Sequence, residues 1–193
     1  ASIIHDYDAL MIRSGTQVTG DIINSSKKLR IIGRAGVGVD NVDVKAATQK
    51  GVLVVNSPGG NTIAAAEHTI AMMLALSRNI PIANSSTFLG KWERKKFVGN
   101  ELFKKKLGVV GLGKIGTHVA KVANALGMDV YGYDPFVSSE RAQQLQVKLS
   151  ELKTLFAESD YVTLHLPRTS ETENLVDMKV LKSMKNNAKL INC

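Results

Sequence analysis

Three glycines spaced as Gly111-x-Gly113-x-x-Gly116, directly after the apolar run Leu107-Gly108-Val109-Val110, constrain this chain more than any other feature. The residues that follow place Val119, Ala120, Val122, Ala123 and Leu126 at helical spacing, and Gly127 stands where a left-handed C-cap belongs. A second apolar run, 128–133, ends on Asp134 about twenty residues beyond the glycines. Strand, glycine turn, helix, strand and terminal acid together form the fingerprint of a dinucleotide-binding βαβ unit, where a glycine pattern alone would indicate only a tight loop.

Each glycine has a separate mechanical task in such a unit. Gly111 permits the turn off the strand, Gly113 lets the backbone approach a pyrophosphate, and Gly116 lets the helix lie close to the sheet. The helix start offers backbone N–H groups and the positive end of its dipole to the phosphates. Asp134 is expected to accept hydrogen bonds from the adenine ribose, and its charge disfavours a 2′-phosphate, so the cofactor expected is NAD rather than NADP. Neither Pro135 nor Phe136 supplies an Arg that would reverse that choice.

The rest of the chain repeats the alternation. An apolar run at 9–12 ends in Arg13-Ser14, Thr19 caps a short helix to about Ser26, and a strand at 29–32 runs into Gly33-Arg34-Ala35-Gly36-Val37-Gly38. Asp40 and Asp43 offer capping carboxylates for a helix to Lys50, closed by Gly51, before a strand at 52–55. Alternating strands and helices imply α/β architecture with parallel sheets, whose ligands bind at the carboxyl ends of the strands, where Arg13 and Arg34 both stand. The breaker cluster Ser57-Pro58-Gly59-Gly60 divides the chain into 1–57 and 58–193. Asn61 or Thr62 then caps an alanine-rich helix over 61–79, either a buried crossover or a subunit contact. Pro81 ends that helix, and 82–97 is a helical or irregular segment carrying Trp92 among basic residues. Beyond the glycine unit, Ser150 caps a helix to about Glu158, 160–166 is a strand running into Pro167, Asp177 caps a helix to Met184, and 188–193 is a final strand.

Composition narrows the function classes. The formal charge of +8 invites a nucleic-acid partner, but the excess gathers around Lys91, Arg94, Lys95, Lys96, Lys104, Lys105 and Lys106 without a nucleic-acid-binding motif. A solvated basic segment or a phosphate-bearing substrate accounts for it equally. The single Cys193 excludes an internal disulfide and suits a reducing compartment, and no apolar run approaches a membrane span. The expectation is therefore a cytoplasmic protein with neither nucleic acid nor membrane as partner.

Taken together, Ile12-Arg13-Ser14, Gly33-Arg34-Ala35-Gly36-Val37-Gly38-Val39-Asp40-Asn41, Ala65-Ala66-Glu67, Lys91-Trp92-Glu93-Arg94, the glycine loop, Tyr133-Asp134-Pro135 and His165-Leu166-Pro167 resemble the D-isomer-specific 2-hydroxyacid dehydrogenases over nearly the whole chain. The resemblance implies two doubly wound lobes, a Rossmann nucleotide-binding lobe and a flavodoxin-like substrate lobe, both incomplete here, with the active site in the cleft between them. It implies that Arg13, Ser14 and Arg34 bind an acidic, phosphorylated 2-hydroxy acid, and that Val37 and Gly38 give loop backbone near substrate and nicotinamide. It further implies that Lys114 and Ile115 present N–H groups to the pyrophosphate, beside Gly111, Gly113 and Gly116, and that His165, Leu166, Pro167 and Cys193 lie further along the cofactor. The Ala-rich face of the 61–79 helix and the basic Trp92 segment lead to a separate expectation, a homodimer or homotetramer joined through that helix and its neighbours.

The family's catalytic Arg, Glu and His would follow the Asn192-Cys193 at which this sequence stops, so these 193 residues alone are expected to be inactive. His5, His68, His118 and His165 match none of the catalytic motifs. Two alternatives remain open at this level. One is an NAD-sensing, corepressor-like binding protein of the same fold, against which the paired Arg13 and Arg34 lean; the other is a sibling dehydrogenase acting on lactate, glycerate or formate.

Overall fold

A computed structural model of the chain describes residues 3–193. It separates into two compact units, one reaching to Thr62 and the other beginning at Ile63, a few residues beyond the breaker cluster.

The first unit holds β1 (Ala9–Ile12), α1 (Gly20–Ser25), β2 (Ile31–Arg34), α2 (Val44–Lys50) and β3 (Leu53–Asn56), preceded by a 3-10 turn at Ile4–Asp6. The strands form a parallel sheet in the order β1-β2-β3, with Ile12 beside Arg34 and Arg34 beside Asn56. Strand β2 lies two residues later than its apolar run indicates. Gly33 and Arg34 are poor strand formers, yet both are paired on either side, and tertiary pairing outweighs propensity. Asp43, not Asp40, caps α2 by accepting the Ala46 N–H at 2.9 Å, and Gly51 closes it at φ 72°. Thr19 occupies the N-cap position of α1 without a side-chain capping bond. The other end of α1 is held by Lys50, whose Nζ donates to the carbonyls of Ile23 and Asn24 at 2.6 and 2.7 Å, an ammonium placed where the helix exposes unpaired acceptors. Ile12, Ile23, Ile32, Ala47 and Val52 form the core between sheet and helices.

The second unit contains α3 (Thr62–Ser77), α4 (Ile80–Phe88), a 3-10 turn at Arg94–Phe97, β4 (Lys106–Val110), α5 (Lys114–Ala125), β5 (Asp129–Tyr133), α6 (Ser139–Gln144), β6 (Lys148–Leu149), α7 (Leu152–Glu158), β7 (Tyr161–Leu164), α8 (Met178–Ser183) and β8 (Lys189–Asn192). Pro81 does not terminate the alanine-rich helix. That helix ends at Ser77, Asn79 turns the chain in the left-handed region at φ 55°, and Pro81 sits in the first turn of α4, where its missing N–H costs nothing. Ser150 is not the cap of α7; Glu151 stands there, without a side-chain capping bond. Asp177 does cap α8, accepting the Val180 N–H at 2.8 Å. Strand β7 ends at Leu164, leaving His165, Leu166 and Pro167 in the segment beyond it.

Five parallel strands in the order β6-β5-β4-β7-β8 make this unit doubly wound, because the chain starts in the middle, runs outward through β5 and β6, and returns to the other side of β4 through β7 and β8. Alternate residues serve opposite faces. Leu107 and Val109 of β4, Val130 of β5 and Tyr161 of β7 face the cluster that includes Ala66 and Met73 of α3 and Val119 and Ala123 of α5. Val110 and Val162 face Leu155 and Phe156 of α7, with Val180 of α8 packed at the edge. Such fully covered side chains contribute about 1.5–3 kcal/mol each relative to exposure. Between them Gly108 has no side chain because Leu155 of α7 fills that space.

Candidate nucleotide and substrate sites

The reversal of strand order falls between β4 and β7, and in a parallel sheet that is where the loops at the carboxyl ends part to leave a crevice. The glycine loop is built there. Gly111 leaves β4 at φ 93°, and its N–H donates to the Tyr133 carbonyl at 2.8 Å. A Cβ on Gly111 would strike the backbone carbonyl of His165, and one on Gly116 would strike the carbonyl of Gly111 itself. The first and third glycines are therefore required by the protein's own packing. Gly113 is different. It is exposed, and a Cβ there would meet nothing within 4 Å. Packing does not account for a glycine at that position, whereas close approach of a phosphate does. Gly113 is also the N-cap of α5, and no side chain caps that helix end. A twelve-residue helix thus turns the positive end of its dipole toward the open space beside Gly113. Lys114 and Ile115 form its first turn.

Asp134, one residue past β5, braces the loop. Its Oδ2 accepts the Leu112 N–H at 2.8 Å and its Oδ1 accepts the Phe136 N–H at 2.9 Å. Both oxygens keep lone-pair capacity for a ribose hydroxyl. Thr117 adds a further tie, donating its hydroxyl to the Leu112 carbonyl at 2.9 Å.

Across the loop, the His165 N–H donates to the Val110 carbonyl at 2.8 Å, so the segment after β7 is pinned to the end of β4. The imidazole Nε2 lies 2.9 Å from the hydroxyl of Thr163, which is fully buried. Burial lowers the His165 pKa from the ordinary 6.5 to about 4, leaving a neutral ring. Leu166, Pro167, Arg168, Thr172, Glu173 and Asn192 line a groove at the ends of β7 and β8, and Cys193 follows, exposed. The cofactor residues expected from 111 onward therefore gather along the carboxyl ends of β4, β5, β7 and β8. Val37 falls in the first unit.

In that unit the expected substrate residues sit at the end of β2 and on the loops after β1 and β2. Arg13 and Ser14 are exposed in a turn closed by the Thr16 N–H on the Arg13 carbonyl at 3.3 Å. Arg34 is half-buried, and its Nε is buried without a hydrogen-bond partner. Its guanidinium lies against Gly36, where any Cβ would collide with it. The Val37 carbonyl accepts from Asn56 at 2.6 Å, which shapes the loop leading to Gly38. Two contributors were not apparent from sequence spacing: Thr163, through His165, and Asn41, whose Nδ2 donates to the carbonyls of Arg13 and Thr16 at 2.9 and 2.6 Å. A polar residue two before His165, and an Asn closing the 33–41 motif, were the available signals.

No group of three His, Cys, Asp or Glu residues is arranged to hold a metal ion among the described residues. No helix there is long and apolar enough to cross a membrane.

Residues 70–193 match the model of the D-isomer specific 2-hydroxyacid dehydrogenase NAD binding domain. The chain is 60% identical to D-3-phosphoglycerate dehydrogenase of Synechocystis over 99% of its own length and 34% of the relative's. It is 46% identical to the enzyme of that name from Bacillus subtilis, over 98% of this chain and 36% of that one. It spans about a third of the length of these relatives. Among solved structures, D-lactate dehydrogenase from Aquifex aeolicus complexed with NAD and lactic acid superposes with a TM-score of 0.91 at 29% identity, covering 99% of this chain and 57% of that one.

Proposed function

This chain belongs to the D-isomer specific 2-hydroxyacid dehydrogenase family and carries its NAD-binding domain, and we propose on that footing that it is part of an enzyme oxidising 3-phospho-D-glycerate to 3-phosphohydroxypyruvate, the step that commits this substrate to serine synthesis. The relatives' shared name supports the substrate. The observation in this chain that carries the reading is the pair of cations at neighbouring strand ends: Arg34 closes β2 in register with Ile12, Arg13 follows directly, and Arg34 holds a buried Nε with no partner. A buried guanidinium donor left unpaired is costly unless an acceptor arrives, and a substrate bearing both carboxylate and phosphate supplies one.

Each unit then has a distinct task. In the second, Gly113 and the start of α5 take the pyrophosphate, Asp134 takes the adenine ribose, and the 165–167 segment with Cys193 borders the rest of the cofactor. When bound, NAD supplies the hydride acceptor. In the first, Arg13, Ser14 and Arg34 hold and orient the anionic substrate so that its C2 hydrogen is presented in one direction; positional control of this kind is a large part of such a rate enhancement. Val37 and Gly38 contribute backbone beside the reacting carbon. Proton removal from the C2 hydroxyl is assigned to no residue of this stretch: His165, its pKa lowered to about 4, is a weak base bonded to Thr163, His5 lies against the Ser25 carbonyl, and His68 and His118 lie within α3 and α5.

The assembly we propose is a homodimer or a tetramer built from it. Ile63, Met72, Leu74 and Leu76 are exposed on α3 beside Glu67 and His68, and Phe88, Leu89 and Trp92 are more than two-thirds exposed. A second copy covering this surface accounts for it, and the 62–88 helices are where the contact belongs. The excess of positive charge assists by drawing in a substrate with phosphate and carboxylate groups. The reading is tested by following NADH formation by the complete protein with 3-phospho-D-glycerate, D-lactate, D-glycerate and formate in parallel. The highest kcat/KM is expected for 3-phospho-D-glycerate, and no NADH with any of the four would remove the dehydrogenase reading.

A further inference from the structure

The turn that presents Arg13 and Ser14 has little support of its own. Residues 13–17 are all exposed, so no apolar side chain anchors the turn, and its internal bond is the long Thr16 N–H to Arg13 carbonyl contact of 3.3 Å. What holds it is a side chain twenty-five residues or more away. Asn41 is 3% exposed, and its Nδ2 spends one hydrogen on the Arg13 carbonyl at 2.9 Å and the other on the Thr16 carbonyl at 2.6 Å, so one amide grips both ends of the turn. The amide's own position is fixed by the backbone. The Asn41 carbonyl accepts the Val18 N–H at 2.8 Å, Val18 bridges Val42, and the Asp43 N–H returns to the Val18 carbonyl at 2.9 Å. Val18 and Val42 are buried in the core of this unit.

The orientation of the amide follows from its partners. Turned over, it would set Oδ1 against two carbonyl oxygens, so Nδ2 faces the turn. Oδ1 consequently sits buried with no partner. A buried acceptor left idle is unfavourable, and a residue chosen only for packing would not carry one. Both donors are used on one short turn, and the idle acceptor is the consequence of that use.

We infer that Asn41 is a positioning residue for the anionic substrate, holding the 13–16 turn so that Arg13 and Ser14 meet the substrate's charged groups in one geometry. The inference rests on the reading of Arg13 and Ser14 as substrate-binding. Asn41 touches no reacting atom; it acts through the turn.

The test uses the complete protein, with Asn41→Ala, Asn41→Asp, Arg13→Ala and the double variant Arg13→Ala/Asn41→Ala, and measures KM for 3-phospho-D-glycerate, kcat and the dissociation constant of NAD. Asn41→Ala is expected to raise KM about tenfold, with kcat within about threefold and NAD affinity unchanged, since the glycine loop belongs to the other unit. Asn41→Asp, which keeps shape but turns both donors into acceptors, should raise KM further or fail to fold. Asn41→Ala adds no buried charge and serves where Asn41→Asp does not fold. In the Arg13→Ala background the Asn41→Ala change should add less than about twofold, because the charged group is gone and only the Ser14 hydroxyl is left to position. A merely structural role would instead lower kcat, KM quality and NAD binding together and add in full to Arg13→Ala. Full additivity, or an unchanged KM in Asn41→Ala alongside a raised KM in Arg13→Ala, overturns the positioning role and leaves the substrate reading standing. An unchanged KM in Arg13→Ala overturns both.

Discussion

The Oδ2 of Asp134 accepts the Leu112 N–H at 2.8 Å, joining the residue after β5 to the one between the first two glycines of the loop. The acid expected to read the cofactor's ribose is therefore also a brace for the backbone proposed to meet its phosphates. Replacing Asp134 with Ala should weaken NAD binding by about 1–3 kcal/mol, the range for hydrogen bonds to a charged group. It should also narrow the preference for NAD over NADP, since the charge that disfavours a 2′-phosphate is gone. Calorimetric titration with both dinucleotides checks it; an unaltered ratio of the two affinities would remove Asp134 from the ribose site.

Gly113 and Gly116 of the loop should separate cleanly in experiment. Gly116→Ala drives a Cβ into the Gly111 carbonyl and should cost about 1–3 kcal/mol of stability, read as a lowered urea midpoint. Gly113→Ala meets no protein atom and has φ −68°, so the urea midpoint should stay at the wild-type value. NAD affinity should nevertheless fall at least about tenfold, because the methyl occupies the approach of the pyrophosphate. A Gly113→Ala protein that binds NAD normally would place the phosphates elsewhere.

Tyr161 tests how α3 is tied to the sheet. Its hydroxyl lies 2.8 Å from the Ser77 hydroxyl at the end of α3, and both side chains are buried. In Tyr161→Phe the Ser77 hydroxyl keeps its bond to the Met73 carbonyl at 2.6 Å, so no donor is stranded. The loss should be about 1 kcal/mol in urea unfolding, with NAD affinity unchanged. A loss several times larger would mean that α3 leaves the sheet when this bond is removed.

The parts of this molecule legible in the sequence are those where local chemistry and tertiary position agree. The glycine loop, Asp43 and Asp177 as caps, and Gly51 and Gly127 as left-handed stops all have residue types that serve one conformation best. The misreadings lie where tertiary context decides. Strand β2 extends through Gly33 and Arg34 because strands on both sides supply its hydrogen bonds. Helix α6, Ser139–Gln144, buries only Ala142, so it has no apolar stripe to announce it, and β6 is two residues long. Asn41 was visible within a motif, but its grip on Arg13 and Thr16 depends on two loops brought together by the β1–β2 pairing, a contact between residues far apart in the chain.

Stability should also carry a signature of His165 as pH falls. Burial holds its pKa at about 4 in the folded chain against the ordinary 6.5, so in the unfolded chain the ring takes up its proton first. The stability that comes from a neutral His165 is complete above about pH 6.5, declines between about pH 6.5 and 4, and levels off below. At about 1.4 kcal/mol per pH unit the ceiling is about 3 kcal/mol, and because the ring is only partly enclosed a loss of about 1–2 kcal/mol is expected. Asp160, whose carboxyl is raised by burial but held below its ordinary value overall by Lys185 and the Lys106 N–H, acts in the same direction but in a more acidic window, below its ordinary 3.8. His165→Asn keeps an amide able to meet the Thr163 hydroxyl and removes the titrating group. Urea unfolding of the two proteins at half-unit steps from pH 7 to 4 should show the wild-type midpoint falling faster than the variant's, with the curves parallel above pH 6.5. Parallel curves over the whole range would mean that the His165 ring is protonated in the folded chain as readily as in the unfolded one.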